Sequence, residues 1–319
     1  MNSFPDVDHS TRSHHSHPSP HSVERRRLLL GGSTAALLAG LSTLADVANA
    51  QQAGPAKAVR RMPSIFVGHG SPMNAIQDNA FTRHLGKWGQ SLGRPSAILS
   101  ISAHWLTPGQ TAVGVDEKPK TIHDFGGFPA QLQEMQYPAK GAPSFAKQAA
   151  AAMKTATAST SEEWGLDHGT WTVLHHMYPK ADIPVFQLSI DYAQQGKYHY
   201  AIGQELAALR DKGVLIMGSG NIVHNLRATE RGAPMGVMAS KPWAQSFDNA
   251  ARDALATRDD NALINPLALD ASVRMAVPTP DHYWPLLYAL GAAGKAEKTV
   301  NTFEGFQAGT ISMRCLQWG

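Results

Sequence analysis

The chain has 319 residues, 43% of them hydrophobic, and its 28 Lys and Arg against 25 Asp and Glu give a formal net charge of +3. That length allows a large buried core, whereas so small a charge gives no footing for nucleic acid or a membrane surface as partner and leaves small or neutral molecules. A lone cysteine, Cys315, excludes an internal disulfide and a thiolate zinc site, so any metal must be held by nitrogen and oxygen.

Residues 1–50 read as a leader rather than as part of the fold. His9, His14, His15, His17 and His21 lie in a polar Ser/Pro/His tract. Glu24-Arg25-Arg26-Arg27 then opens an apolar run from Leu28 to about Ala45, followed by Ala48-Asn49-Ala50, a small-x-small cleavage site. The segment resembles a twin-arginine export signal with Arg25-Arg26 as the pair, which implies a periplasmic mature protein. Gly31, Gly32, Ser33 and Thr34 interrupt the run, and it falls short of the ~20 apolar residues of a membrane span, so cleavage is expected and no span remains. Residues 51–61 form an Ala/Gly/Pro linker, and 62–319 the folded domain.

Within that domain the first strand is expected at Ser64–Val67, and the spacing of Phe81, Leu85 and Trp88 predicts a helix over Asp78–Ser91. Ala97–Ala103 is a continuous apolar run that suits a strand buried on both faces, and Thr111–Val115 a shorter one. Pro119–Pro143 has little periodicity, and a loop of that length in a compact domain is usually functional. Helices are predicted at Ser144–Lys154, Trp171–Met177, Tyr198–Leu209, Trp243–Ala256 and Tyr283–Leu290. Strands are predicted at Pro184–Ile190 and Val214–Met217, and Thr299–Phe303 is expected to pair with Thr310–Leu316 as a terminal hairpin. Strands alternating with helices argue for a single α/β domain with a largely parallel central sheet flanked by helices. Cys315 is expected to be a small residue packed on the terminal strand.

Ten histidines follow residue 50. His84, His175, His176 and His199 fall in helical stretches and read as structural. His69, His104 and His224 each lie just past an apolar strand, where side chains far apart in sequence converge beyond the carboxyl ends of an open sheet. His69 sits between Gly68 and Gly70, and His104 is followed by Trp105. Asn221 and Asn225 flank His224 and are candidates to orient its ring. His282 follows Pro278-Thr279-Pro280-Asp281, with Asp281 a candidate cap for the next helix. His168 lies in Trp164-Gly165-Leu166-Asp167-His168-Gly169, beside a carboxylate, which suits proton transfer. Neutral imidazoles without cysteine favour zinc, iron, copper or nickel over magnesium or calcium. No His-Glu-x-x-His helix, Gly-x-Ser-x-Gly elbow, phosphate loop or dinucleotide fingerprint is present.

Six segments in order carry a resemblance: Gly68-His69-Gly70-Ser71-Pro72-Met73, Ser102-Ala103-His104-Trp105, Ile122-His123-Asp124-Phe125-Gly126-Gly127-Phe128-Pro129, Trp164 to Gly169, Gly220 to Leu226, and Thr279-Pro280-Asp281-His282-Tyr283. Together they resemble the 4,5-DOPA extradiol dioxygenase group of the class III (LigB-type) ring-cleaving dioxygenases, over essentially all of Arg61 to Gly319. The resemblance implies a non-haem Fe(II) enzyme that opens a catechol with O₂, inserting both oxygen atoms. It places His69 and His104 on ligand positions, His224 on a position that is ligand or acid/base, and His168 on a proton donor that contacts substrate. The wider superfamily completes its site with a glutamate. Here His282 takes that place, Glu304 being a weaker candidate, and such an all-histidine set also suits Zn(II). Trp105, Phe125, Phe128 and Tyr283 are candidates for the wall of a ring-binding slot, with plain core the alternative. Two rival readings remain at this point: a zinc-dependent hydrolase or lyase on the same scaffold, and a non-catalytic periplasmic metal-binding protein.

Overall fold

The apolar runs become a six-stranded sheet: β1 (Ser64–Gly68), β2 (Ala97–Ser102), β3 (Val185–Gln187), β4 (Val214–Gly220), β5 (Val300–Phe303) and β6 (Cys315–Trp318), in the order β5-β6-β1-β4-β2-β3. This computed structural model describes residues 59–229 and 237–319; the segments expected to be leader and export signal, and most of the expected linker, lie outside the described residues. Four strands, β1, β4, β2 and β3, run parallel. The terminal strand β6 is antiparallel to both β1 and β5.

Side chains alternate across a strand, so a run that is apolar at every position feeds two cores. Ile65, Val67, Ile98, Leu215 and Met217 pack on one face with Phe81, Leu85 and Trp88 of helix α1 (Ala80–Leu92). Phe66, Leu99, Ile101 and Ile216 pack on the other with α2 (Pro143–Ala152). Beyond α3 (His168–Met177), which lies with α1, come α4 (Gly196–Leu206), α5 (Pro242–Thr257) and α6 (Trp284–Ala292), packed with α2. Truncating any of these buried Leu or Ile side chains to Ala would cost about 2–5 kcal/mol. Among the described residues no helix is long and apolar enough to cross a membrane.

Four boundaries differ from expectation, each for a local reason. Helix α3 starts three residues early because Asp167 caps it, its carboxylate accepting from Thr170 N–H, so His168 is the first helical residue rather than part of a loop. Strand β4 continues to Gly220 because glycine there leaves room for a neighbouring backbone: a Cβ on Gly220 would lie 2.1 Å from the His282 carbonyl oxygen. Pro184–Ile190 divides, with Val185–Gln187 in the main sheet and Ile190–Asp191 pairing with Leu106–Thr107. The terminal hairpin pairs Val300–Phe303 with Cys315–Trp318 rather than with Thr310–Leu316, since Ile311–Ser312 pairs back on Phe306–Gln307. Thr111–Gly114 is a strand as expected, paired with Ala158–Ser161, which the sequence did not announce. Cys315 is fully buried on β6, where burial pushes its thiol up to about 12, so it is packing and not a nucleophile.

Candidate metal centre

Beyond the carboxyl ends of the parallel strands, β1 delivers His69 and β2 delivers His104, and their Nε2 atoms lie 3.2 Å apart. One ring nitrogen from each of His69, His104 and His168 lies within 4.8 Å of the others. The His282 ring is 5.3 Å from that of His69 and 5.1 Å from that of His104, centroid to centroid, and His224 lies against it. All five line one cavity of about 260 Å³, with Phe125, Phe128, Pro72, Leu226 and Ile311 as its apolar wall.

The bonds behind the rings decide which nitrogen faces the cavity. The single hydroxyl hydrogen of Ser219 goes to the Gly169 carbonyl, so Ser219 Oγ is left to accept from His69 Nδ1–H at 3.0 Å. Asp124 Oδ2 accepts from His168 Nδ1–H at 2.9 Å and lies 3.3 Å from His104 Nδ1, while its Oδ1 accepts from the His168 backbone N–H. Asp281 accepts from His282 Nδ1–H. These tautomers are assigned from the bonding network, and they leave Nε2 of His69, His168 and His282 as bare lone pairs, with His104 Nε2 turned toward that of His69. Behind His168 the buried Asp167 is held by Ser102 Oγ and Gln187 Nε2; burial raises its carboxyl, more than those hydrogen bonds lower it.

Charge is suppressed on three of the rings, His69, His104 and His224. Burial, then repulsion from His282, His168 and His224, holds His69 well below the ordinary histidine value, and burial followed by the charges of His168, His282, His69 and His224 does the same to His104. Burial and His282 bring His224 to about 3. Burial pushes Asp124 up, yet its hydrogen bonds and charge interaction with His168 outweigh that and keep it a carboxylate. Neutral imidazoles aimed at one another from 3.2 Å are a donor set that a shared cation relieves, and the residues fit a nitrogen-bound transition metal.

Several expectations need revision here. Glu304 is half exposed and its carboxylate accepts from Arg314 Nη1, so it is spent on an ion pair and does not line the cavity. Asp281 does not cap α6, whose cap position is Tyr283; its carboxylate holds His282 instead. Nor do the asparagines touch the His224 ring through their amide hydrogens: Asn221 donates to the Ser312 carbonyl and Asn225 to the Met275 carbonyl, fixing the loop rather than the imidazole. Of the four aromatic candidates, Phe125 and Phe128 line the cavity. Trp105 stacks on Trp164 away from it, and Tyr283 is buried with its hydroxyl on the Leu263 carbonyl. Asp124 and Ser219, which aim the His168 and His69 rings, are not among the sequence candidates; the signal for Asp124 is its place beside His123 in a long aperiodic loop.

A buried cluster of histidines at the carboxyl ends of a mostly parallel sheet defines the class as a metal-dependent α/β enzyme. The family model described as the catalytic LigB subunit of aromatic ring-opening dioxygenase matches residues 62–313, and the chain belongs to that family. It is 44% identical over 263 residues to the 4,5-DOPA dioxygenase extradiol of Escherichia coli (strain K12), covering 81% of this chain and 95% of the relative. The protein of the same name from Beta vulgaris is 41% identical over 254 residues, covering 76% and 92%. A crystal structure of an uncharacterized Escherichia coli K12 protein superposes with a TM-score of 0.70 at 40% identity, covering 81% of this chain and all of the other. The chain is thus an aromatic ring-opening dioxygenase, and the readings as hydrolase, lyase or plain metal-binding protein fall away.

Proposed function

We propose that the enzyme opens a DOPA-like catechol beside its two hydroxyls, inserting both atoms of O₂, with Fe(II) as the native metal. The observation that carries this is the convergence of His69, His104 and His168 within 4.8 Å in an apolar cavity of about 260 Å³. His69, His104 and His282 with His224 hold the metal, and His168 and His224 handle protons. The ferrous ion, when bound, supplies the electron transfer between catechol and O₂ that neither undergoes readily alone. The chain supplies the rest. Phe125 and Phe128 press the aromatic ring and keep water off it. His168, with Nδ1–H fixed on Asp124, offers Nε2 as base toward a catechol hydroxyl and returns that proton to the product. The 4.8 Å grouping favours a second arrangement of the same site, with His168 as third ligand and His224 as proton carrier.

Export belongs to the same proposal: the Arg25-Arg26 signal directs the protein to the periplasm, cleavage following Ala50. The decisive experiment is anaerobic reconstitution with Fe(II), then O₂ and a panel of catechols, watching O₂ uptake and the yellow ring-opened product. Metal-replete protein that consumes no O₂ with any catechol overturns the activity, and turnover equal with Zn(II) alone overturns the choice of metal. A mature N-terminus upstream of Gln51 in exported protein overturns the cleavage site.

A further inference from the structure

We propose that Asp124 is the positioning residue that sets the tautomer of His168, turning its Nε2 into the cavity. The inference rests on the histidine centre described above and holds for either role of His168. Two donors of His168 converge on this side chain, Nδ1 at 2.9 Å on Oδ2 and the backbone N–H at 2.9 Å on Oδ1, and His104 Nδ1 lies 3.3 Å from the same Oδ2. The two rings lie only 3.9 Å apart, centroid to centroid, so neither can swing without displacing the other. A carboxylate is the one side chain of this length with acceptors at both ends. In an isosteric amide one end becomes a donor. Placed at Oδ1, the NH₂ group meets the His168 backbone N–H; placed at Oδ2, it meets His168 Nδ1 and drives its proton to Nε2, where the lone pair is needed.

Asp124 also ties the centre to the long segment between Pro119 and Pro143. Thr121 bridges to Leu166, His123 Nε2 is hydrogen-bonded to the Met135 carbonyl, and Phe125 and Phe128 wall the cavity. The side chains that wall the site and the carboxylate that aims His168 therefore arrive on one piece of chain.

The test is a long-range ¹H–¹⁵N spectrum of the full chain labelled at histidine, recorded near neutral pH with Zn(II) bound and again after chelation. Wild type should show His168 protonated at Nδ1 in both states. Asp124→Asn should move it to the Nε2-protonated form after chelation and weaken Zn(II) binding roughly 10–100-fold, with thermal unfolding showing that the variant is folded. Wild-type protein with the proton on His168 Nε2 overturns the inference without any variant, as does an Asp124→Asn protein with an unchanged tautomer and unchanged Zn(II) affinity. Neither readout depends on ring cleavage: a correct tautomer in a protein inert to every catechol would defeat the activity and leave this inference standing.

Discussion

His224 and His282 stack face to face, ring centroids 3.6 Å apart and planes within 3° of parallel. Two imidazoles so placed cannot both be charged at small cost. His282 is held by the carboxylate of Asp281, which the same pairing brings to about 2 against the upward push of burial. His224 takes the penalty, falling to about 3 through burial first and His282 second.

That asymmetry has a pH consequence. A histidine whose folded value lies below its unfolded value near 6.5 contributes full stability above 6.5 and loses it as pH falls, because the unfolded chain then binds more protons. For His224 the window runs from about 6.5 down to about 3, and His69 and His104 act in the same direction. The unfolding free energy of the chelated protein, from urea titrations, should therefore fall between pH 7 and pH 5, by up to about 1.4 kcal/mol per pH unit for each ring, and the urea midpoint with it. His224→Gln should remove one ring's share of that slope. A midpoint that is flat or rises on acidification contradicts the assignment.

Ser219→Ala should weaken metal binding about 10–100-fold. The hydroxyl is fully buried and relays between the Gly169 carbonyl and His69 Nδ1, so its loss frees His69 to carry its proton on either nitrogen. Metal titration of the chelated variant checks this. Undiminished affinity would mean that packing alone holds the ring.

What the sequence revealed of this centre followed from burial. Parallel strands covered on both faces must be apolar throughout, so Ile98-Leu99-Ser100-Ile101 and Val214 to Met217 stand out, and the histidines just past them were found with them. Asp124 has no such herald: it sits in a stretch without periodicity, and its role depends on Thr121 pairing with Leu166, a contact 45 positions apart that no local pattern encodes. Trp105 and Phe125 were indistinguishable as aromatic residues beside a histidine. Which one walls the cavity was decided by Trp164, against which Trp105 stacks at 5.6 Å. Glu304 was a reasonable candidate until Arg314 claimed it, and an ion pair across ten residues of hairpin is invisible before the register is known.

Arg210 separates stability from catalysis. It is fully buried, donates to the carbonyls of Met62, Ala292 and Trp318 and pairs with Glu297, tying the first and last strands of the domain together. Arg210→Ala strands three carbonyls and a carboxylate, a loss of about 3–5 kcal/mol. The unfolding free energy should drop by that amount, while kcat/KM per folded molecule stays at the wild-type level because the cavity is untouched. A fall in kcat/KM of the folded fraction would show that the end of the domain communicates with the centre.

Phe125 packs edge-on against His168 at 5.6 Å and against Phe128 at 5.4 Å, so it touches both the wall and the ring proposed to handle protons. Its phenyl group can press a substrate ring but can take part in no bond change, so what it provides is common to ground and transition states. Removing such uniform binding raises KM and spares kcat. Phe125→Ala should accordingly raise KM for a catechol about 10–200-fold, the effect of roughly 1–3 kcal/mol of apolar contact, with kcat within a few-fold of wild type. His168→Asn should show the reverse, kcat collapsing while KM changes little, because the proton it carries moves only during reaction. Steady-state O₂ uptake across a catechol concentration series separates the two cases. Equal losses of kcat in both variants would mean that Phe125 serves chiefly to hold His168 in place.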